Sequence, residues 1–600
     1  MRLLRFKIIA AIVLICLGVV LLFIALFAYQ LGLDPSTNMG PMRTKLAEFA
    51  VGLILLPFLV FLFGKIDQCL HIRSSITHLC ERCKKAISAR LPSEPGITLQ
   101  QKRKKAIPAV IYCVVGVLIV ISVSVWYITG GKMTQLTPYS HFYDMQADGF
   151  LAGKTSLLIE PPVELSQLVD PYDWKAREGF SYLWDASYYQ GKYYIYWGPV
   201  PALLASTIKL IHGGIIEDQL LLLIFISGLV SVFSAFLYYL RKQYFASVPG
   251  WSLLLFTILF GFSTPIFWLI NRPNVYETAI ASCQFFLMLG VFAVVRGLNS
   301  AKHQRIWLLL TGLSLGLAVG SRISVVFTVF LVFGTASYHL ITQIKADRKK
   351  IYSMLALLFP LVVCALGLAW FNFARFGSIF ETGIHYQLTG GVMPSSDTVL
   401  YSPWYIAPNV ILSLFQPYAF SPHEFPFINA ISNTYWAGMV RIANSRYNVE
   451  PVSGIFTTIP FLWLLIIPTT RQLKRAWQWI KEEPASSQKT TAPSLPLWLW
   501  IILIGGTAVS FVVTILFVMM TMRYLCDFVP MLLLLAATLA MFDIERLKGQ
   551  IWQRRLLLAA LIILSLVSVI IGLLINFNNS DLRFQNINPA LFEQISQWLQ

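Results

Sequence analysis

The sequence predicts an all-α polytopic membrane protein with about 13 transmembrane helices (13–14) and two large extracytoplasmic loops. Of its 600 residues, 57% are hydrophobic and only 12% are charged, and the mean hydropathy is +0.67. Soluble domains carry roughly a quarter charged residues, so this composition excludes a soluble globular protein. Aromatic residues make up 14% of the chain, which suits a protein with two bilayer interfaces to line.

The predicted spans follow from apolar runs, because a bilayer core requires about 20 apolar residues per helix. Such runs lie at 8–29, 47–64, 107–128, 219–240, 251–270, 278–295, 306–320, 323–341, 352–371, 454–468, 497–520, 525–542 and 556–575. A further stretch, 197–211, contains two prolines and a lysine and is interpreted either as a span or as a short re-entrant helix. The first run lacks a small-residue cleavage site and is expected to be an anchor.

The distribution of charge predicts the orientation of the spans. With a cytoplasmic N-terminus and alternating spans, 31 of the 46 Lys and Arg residues fall in cytoplasmic segments, but only 8 of the 28 Asp and Glu residues do. Short cytoplasmic loops of membrane proteins carry just such an excess of basic residues. The net charge of +18 is therefore explained by contact with anionic lipid, and no nucleic-acid partner is expected. We expect a multi-pass protein of the plasma (inner) membrane with an extracytoplasmic C-terminus.

The domain organisation is expected to comprise two parts. Residues 1–105 form a two-helix extension with a basic cytoplasmic loop at 65–105, and residues 106–600 form the main transmembrane module. The outer loops of that module, 129–196 and 372–453, are too long to be mere connectors and are expected to be functional. A Cys/His cluster at 69–83 is a weak zinc signal without a second CxxC pair, so no metal site is predicted.

Candidate catalytic acids lie in the first outer loop, which contains eight Asp and Glu residues. Asp144 and Asp148 are four residues apart and share one face of a predicted helix. Repulsion between two carboxylates tends to raise one pKa, which is typical of a general base, although a solvated helix face has the same pattern. Asp185 is a third candidate, because it lies at the start of an aromatic-rich stretch.

That stretch has the composition of either an interfacial belt or a sugar-binding surface, because aromatic rings stack on the apolar faces of pyranoses. Its candidate sugar or acceptor contacts are Tyr188, Tyr189, Tyr193, Tyr194 and Trp197. Lys192 lies among them and is a candidate phosphate contact.

Four arginines recur at the predicted outer ends of helices: Arg272, Arg322, Arg375 and Arg523. A charge close to hydrocarbon costs about 2.5–3.5 kcal/mol, so pairing, snorkelling or function must offset it. The guanidinium fork matches phosphate oxygens, and the series favours a shared anionic ligand. No charge lies clearly within a span, which argues weakly against a transporter.

The order of these motifs resembles that of the GT-C membrane glycosyltransferases, nearest to the family 39-like protein O-mannosyltransferases and aminoarabinose transferases of bacteria. The matching stretches are 148–154 (DGFLAGK), 191–204 (GKYYIYWGPVPALL), Arg272–Glu277, Gly320–Arg322, 372–388 (NFARFGSIFETGIHYQL) and Arg523–Pro530. Together they cover residues from about 107 to 545.

The resemblance implies that the chain transfers a sugar, with inversion, from a polyprenyl-phosphate donor to an acceptor hydroxyl of a glycan, lipid or protein at the outer face. It implies a carboxylate base in the first outer loop, with Asp148 or Asp144 preferred and Asp185 third. The arginines and Lys192 would contact the donor phosphate, and Glu277 and Tyr386 would join the aromatic contacts to sugar or acceptor. The chain departs from the family at residues 137–141 (TPYSH), where an acid is usual. A metal cofactor is not indicated.

Three other functions remain open. An O-antigen-type polymerase or ligase also uses outer loops and arginines, and its large loop lies late in the chain, as 372–453 does here. A flippase or transporter of lipid-linked oligosaccharides would require a polar path through the spans. A catalytically silent relative would serve as a scaffold for assembly of the cell envelope.

Overall fold

The computed structural model describes residues 108–344, 347–390, 399–432, 447–465, 495–577 and 582–599, together with Gly52. The predicted spans at 8–29 and 47–64, the basic loop and its Cys/His cluster lie outside these residues, apart from Gly52. Contacts divide the chain into two compact units. The first contains residues 1–107, 147–154 and 206–214, and the second contains 108–146, 155–205 and 215–600.

Helices dominate the first half of the described chain, and one hairpin interrupts them. The elements are α1 (Ala109–Ile128), α2 (Phe142–Leu151), α3 (Val163–Gln167), β1 (Ser187–Tyr189), β2 (Lys192–Tyr194), α4 (Val200–His212), α5 (Asp218–Tyr244), α6 (Trp251–Phe262), α7 (Thr264–Asn271), α8 (Val275–Leu298), α9 (Gln304–Ser321), α10 (Val326–Ile344) and α11 (Lys350–Phe376). Strands β1 and β2 pair antiparallel, with Tyr188 opposite Tyr193.

The second half contains shorter elements before two further long helices. They are α12 (Ile406–Leu414), β3 (Ala419–Phe420), β4 (Ile428–Asn429), β5 (Asn448–Val449), α13 (Ile455–Thr458), α14 (Leu497–Trp500), α15 (Gly506–Ile515), β6 (Met519–Met520), α16 (Val529–Arg546), α17 (Ile551–Ile575), α18 (Arg583–Ile587) and α19 (Pro589–Leu599). A π-helical turn, Ile501–Gly505, joins α14 to α15, and a 3₁₀ turn, Met522–Asp527, precedes α16. Strand β3 pairs antiparallel with β4, and β5 pairs parallel with β6.

Seven helical segments of the described residues are long and apolar enough to cross a membrane. They are Ala109–Ile128, Asp218–Tyr244, Val275–Leu298, Ile323–Ile344, Lys350–Phe376, Leu497–Ile515 and Ile551–Ile575. The pair α6 and α7, bent by 50°, can form an eighth. The predicted helical, multi-pass architecture is therefore confirmed, whereas the total of about 13 spans stays a prediction.

Two apolar runs do not become long helices. The stretch 197–211 contains the 13-residue helix α4, which is about 20 Å long and shorter than a bilayer core of about 30 Å. The run at 454–468 forms only the four-residue helix α13 and a 3₁₀ segment, Pro460–Leu465, up to the last described residue. Pro460 interrupts the helix because it has no N–H to donate.

Helix α8 lies at the centre of the bundle and packs against α5 on one side and α9 on the other. Its most apolar 18-residue window is 78% buried, whereas that of α11, which packs on the outer side of α9, is only 17% buried. The exposed side chains of α11 are large and apolar, among them Leu355, Phe359 and Leu366. Such a surface requires lipid rather than water as its neighbour.

Close approach of α9 and α11 depends on Gly312. A Cβ atom at this position would collide with the carbonyl oxygen of Leu357 on α11. Small residues allow this backbone contact between membrane helices, where van der Waals packing rather than a hydrophobic gradient drives association.

Two buried carboxylates fix the first outer loop. Asp218, at the start of α5, accepts hydrogen bonds from Ser140 Oγ (2.5 Å) and from the backbone N–H groups of Phe142 (3.0 Å) and Tyr143 (3.1 Å). It thereby caps the N-terminus of α2 from a distant helix. In return, Asp144 in the first turn of α2 accepts a bond from the N–H of Ile216 (2.7 Å).

We expect Gly312→Ala to destabilise the protein by about 1–3 kcal/mol, because neither backbone can make room for the added methyl group. Thermal unfolding of the purified protein in lipid nanodiscs measures the effect. The control is Gly367→Ala on α11, where nothing lies within 4 Å of the place that the added methyl group would occupy. That variant should match the wild type or exceed it slightly, since Ala favours helix. Equal melting temperatures for the two variants would contradict the proposed backbone contact.

Candidate active site

A cavity of about 430 Å³ lies where the ends of several long helices meet the outer loops. Its lining includes all four predicted arginines and three acidic residues: Arg272, Arg322, Arg375, Arg523, Asp185, Glu450 and Asp527. We refer to it as the arginine cavity.

Three of the arginines lie at helix C-termini. Arg272 follows α7, Arg322 follows α9, and Arg375 occupies the last turn of α11. Unpaired carbonyl groups give a helix C-terminus partial negative charge, which stabilises a guanidinium there. Arg523 lies in the 3₁₀ turn between β6 and α16.

Glu450 neutralises two of these charges. Its Oε2 lies 2.5 Å from Nη1 of Arg523 and 3.9 Å from Nη1 of Arg272, and its Oε1 accepts a second bond from Arg523 (3.2 Å). Burial alone would raise the pKa of Glu450, but the charge and hydrogen bonds of Arg523, together with Arg272, hold it below its ordinary value. Glu450 is therefore an ionised counter-ion. Its position is fixed by β5, because its backbone N–H donates to the carbonyl of Met520 (3.0 Å).

Arg322 also pairs with a carboxylate, whereas Arg375 does not pair with one among the described residues. Arg322 lies 3.3 Å from the carboxylate of Asp527. Arg375 instead donates to the carbonyl groups of Ile195 (2.6 Å) and Phe371 (3.3 Å) and to Oδ1 of Asn372 (2.8 Å). Among the described residues, none forms a salt bridge with Arg375. Its charge is thus available for an anion.

Asp185 differs from the other two acids of the cavity because no arginine pairs with it in the described part of the chain. Gln387 Nε2 donates to its Oδ1, whereas Oδ2 makes no hydrogen bond to the described residues. Burial raises the pKa of Asp185 to about 6, partly offset by the Gln387 bond and by Arg523 and Arg272. This carboxylate is ionised at neutral pH yet basic enough to take up a proton.

The backbone around Asp185 is held rigidly. Asp185 has a positive φ of 67°, a conformation that Asp tolerates better than most residues. Its N–H donates to the carbonyl of Leu388 (3.0 Å), and the N–H of Leu388 donates to the carbonyl of Ala186 (2.9 Å). The carboxylate is therefore positioned by the second outer loop as well as by its own.

The structure places the two preferred candidate bases, Asp144 and Asp148, outside the lining of the arginine cavity. The carboxylate of Asp144 is used by the loop contact with Ile216. Asp148 forms an ion pair with Lys209 (2.6 Å) within the first compact unit, and its side chain is 43% exposed. Asp185, the third candidate, is the one that faces the arginines.

The predicted aromatic contacts separate into two groups. Trp197 lines the cavity and packs edge-on against Tyr276 (5.1 Å between ring centroids). The others lie outside the lining and pack with one another and with Phe376; they are Tyr188, Tyr189, Tyr193, Tyr194 and Tyr386.

The remaining predicted contacts, Lys192 and Glu277, also lie outside the cavity lining. Lys192 is solvent-exposed at the start of β2. Glu277 is fully buried in α8, and neither of its carboxylate oxygens has a hydrogen-bond partner among the described residues. In the same part of the chain, no group of three His, Cys, Asp or Glu side chains could hold a metal ion.

The chain is similar to a known family over part of its length. The family model of dolichyl-phosphate-mannose-protein mannosyltransferases matches residues 281–382, from within α8 to just beyond α11. Over this segment, the chain is similar to those membrane mannosyltransferases. The match includes Arg322 and Arg375 and confirms the predicted resemblance over about a sixth of the chain.

Among solved structures, the crystal structure of ArnT from Cupriavidus metallidurans bound to undecaprenyl phosphate is similar to this chain. The sequence identity is 10% and the TM-score is 0.36, and the alignment covers 81% of this chain and 79% of that one. No curated protein matches the sequence.

Two functional candidates, Glu450 and Gln387, were not predicted from the sequence. Glu450 lies near the end of the second outer loop, 73 positions from Arg523, and no local spacing connects the two. Gln387 bonds to Asp185 across 202 positions. The segment of Glu450 pairs with β6, and the segment of Gln387 pairs with the backbone at Asp185. Both contacts depend on the folded structure and leave no local pattern in the sequence.

Asp185 is expected to lower the stability of the protein as pH rises from about 4 to 6. Its folded pKa of about 6 exceeds the ordinary value of 3.8, so the folded state binds more protons than the unfolded state in this window. Asp185→Asn removes the cost of burying the charge, keeps the acceptor for Gln387 and tolerates the backbone conformation. At about pH 8 the variant should be more stable than the wild type by about 2–3 kcal/mol, and below about pH 4 equally stable.

Thermal unfolding across this pH range measures the difference. Asp148→Asn is the matched control, because it makes the same Asp-to-Asn change at a carboxylate whose side chain is 43% exposed, where a paired charge contributes little to stability. The control should follow the wild type at every pH. If Asp185→Asn melted at a lower temperature than the wild type at about pH 8, the inference that the buried charge of Asp185 lowers stability would be wrong.

Proposed function

We propose that this protein is a membrane glycosyltransferase that moves a sugar from a polyprenyl-phosphate donor to an acceptor hydroxyl at the extracytoplasmic face. One observation carries the proposal: a single cavity combines four arginines with one carboxylate that no arginine of the described chain neutralises. A phosphate leaving group requires positive charge, and an attacking hydroxyl requires a base. The arginine cavity contains both.

The name of the matching family supports a lipid-phosphate donor, since dolichyl-phosphate-mannose is a sugar on such a carrier. The lining supports it as well, because apolar side chains of the spanning helices accompany the arginines. They include Ile280 of α8, Val319 of α9, Leu368 of α11 and Val513 of α15. Such a lining suits the proximal part of a prenyl chain.

In the proposed reaction, Asp185 accepts the proton of the acceptor hydroxyl. The acceptor oxygen forms a bond to the anomeric carbon from the side opposite the phosphate. The bond between that carbon and the phosphate oxygen breaks, and its electron pair leaves with the phosphate. Attack from the opposite side inverts the anomeric configuration.

We propose that Arg375 provides the first contact with the donor phosphate, because its charge lacks a carboxylate partner among the described residues. Arg322, Arg272 and Arg523 lie in the same cavity and add to the positive potential, although Asp527 and Glu450 partly neutralise them. Glu450 is a poor base, since its pairing with Arg523 and Arg272 stabilises the charged form, and the carboxylate of Asp527 is engaged by Arg322. This leaves Asp185 as the proton acceptor.

We also propose a location and a domain division. The protein would lie in the plasma membrane with a cytoplasmic N-terminus, an extracytoplasmic C-terminus and the arginine cavity outside. Residues 106–600 would form the catalytic module and 1–105 an N-terminal extension.

Asp185→Asn is expected to lower sugar transfer by roughly 10²–10⁴-fold, the usual contribution of a general base. The assay measures transfer from radiolabelled polyprenyl-phosphate sugars by the purified protein in nanodiscs. Asp148→Asn should retain a rate within about twofold of the wild type, because Asp148 does not line the cavity. In the wild type, the rate should rise with pH through about 6, as the carboxylate of Asp185 ionises.

If sugar transfer were lost in Asp148→Asn but retained in Asp185→Asn, the base would be Asp148 in α2 and not Asp185. Absence of transfer with every donor, together with retained lipid binding, would instead indicate a catalytically silent protein.

A further inference from the structure

The outer rim of the arginine cavity carries an aromatic surface that the proposed reaction does not yet use. Trp184 directly precedes Asp185, lines the cavity and is 53% exposed. About half of this large apolar ring is therefore open, and covering it would be favourable. The surface is therefore suited to a ligand that brings its own apolar face.

The ring of Trp184 is held in place from behind. It lies beside the ring of Tyr182 (6.2 Å between centroids, 32° between planes), and the guanidinium of Arg177 lies 4.6 Å from the centre of the Tyr182 ring. Arg177 is fully buried and donates through Nη2 to the carbonyl of Thr389 (2.5 Å). The side chains of Trp184, Tyr182 and Arg177 thus lie side by side in this order, and Arg177 anchors them to the second outer loop at Thr389.

Gly390 fixes the ring from the side. A Cβ atom at this position would lie 2.8 Å from Cη2 of Trp184, closer than real contacts allow. The backbone of the second loop thus packs directly against the edge of the indole. A binding surface with little freedom loses little entropy when a ligand stacks on it.

We propose that Trp184 is the stacking platform for the acceptor and that the acceptor is a saccharide. This inference rests on the proposed function, in which the neighbouring Asp185 takes the acceptor proton. Pyranose rings present an apolar C–H face to an aromatic ring while their hydroxyl groups point outward. Neutral polar residues that suit those hydroxyls also line the cavity, among them Thr389 and Asn448.

A peptide acceptor fits this rim less well. One common way for an extended peptide to bind is by adding a strand to free backbone groups. Here the backbone of Asp185 and Ala186 already pairs with that of Leu388, and Ser187 pairs with Gln387. These pairs use the backbone groups beside Asp185 and leave a side-chain surface as the means of recognition.

The binding test uses the full chain in nanodiscs and saturation-transfer NMR with methyl pyranosides of mannose, glucose and N-acetylglucosamine as probes. A threonine-containing peptide amide is the competing probe. The wild type should transfer saturation to the ring C–H protons of at least one pyranoside. Trp184→Ala should weaken this binding by roughly tenfold, whereas Trp184→Phe should retain most of it.

Trp174→Ala is the matched control, because Trp174 lies in the same loop, is 42% exposed and does not line the cavity. It should leave the binding unchanged. The proposal is overturned if no pyranoside binds to the wild type, if Trp184→Ala binds as well as the wild type, or if only the peptide binds.

A second measurement separates acceptor from donor recognition. Trp184→Ala should raise the KM for a saccharide acceptor roughly tenfold, whereas the KM for the polyprenyl-phosphate sugar should stay within about twofold of the wild type. An equal rise in both KM values would assign Trp184 to the donor and overturn the acceptor role. If no donor is turned over at all, the proposed reaction fails, and pyranoside binding still decides whether the platform exists.

Discussion

The arrangement of the site depends on how four guanidinium groups are neutralised at the edge of an apolar helix bundle. A charge in this environment is costly unless a counter-ion or a ligand accompanies it. Glu450 supplies the counter-ion for Arg523 and Arg272, and Asp527 supplies it for Arg322. Within the described chain, the hydrogen bonds of Arg375 go to backbone and amide oxygens and its guanidinium lies over the rings of Phe371 and Phe376, and the hydrogen bond to Asp185 comes from an amide donor. In the proposed reaction, these are the positive and the negative group that act on the substrate.

The bundle explains why these groups meet. Helix α8 packs between α5 and α9, and α9 packs against α11, so that the ends of α9 and α11 bring Arg322 and Arg375 to one cavity. Gly198 contributes to the same junction, because a Cβ atom there would collide with the carbonyl oxygen of Gly320, two residues before Arg322. The aromatic stretch that follows Asp185 is thereby packed against the helix end that carries an arginine. Rigid helices thus position the charges, and the outer loops supply the proposed base and the proposed platform.

Much of this was predictable from the sequence. Long apolar runs predict spanning helices reliably, since each must satisfy its own backbone hydrogen bonds in lipid. The arginines were identifiable because four of them recur at predicted helix ends on the side that carries few basic residues. The choice among the acids was not predictable. Asp144 and Asp148 share a helix face, but the partner of Asp144 is the N–H of Ile216, 72 positions away, and no periodicity reveals that contact. Glu450 and Gln387 are likewise defined by partners that are distant in sequence.

The most direct test of the central claim is a cryo-EM structure of the full-length protein in nanodiscs with a polyprenyl phosphate as the probe. We predict density for the phosphate inside the arginine cavity, with an oxygen about 3 Å from the guanidinium of Arg375. The prenyl chain should follow the apolar part of the cavity lining. Phosphate density elsewhere, for instance beside Asp543 in the apolar cavity between α16 and α17, would contradict the account.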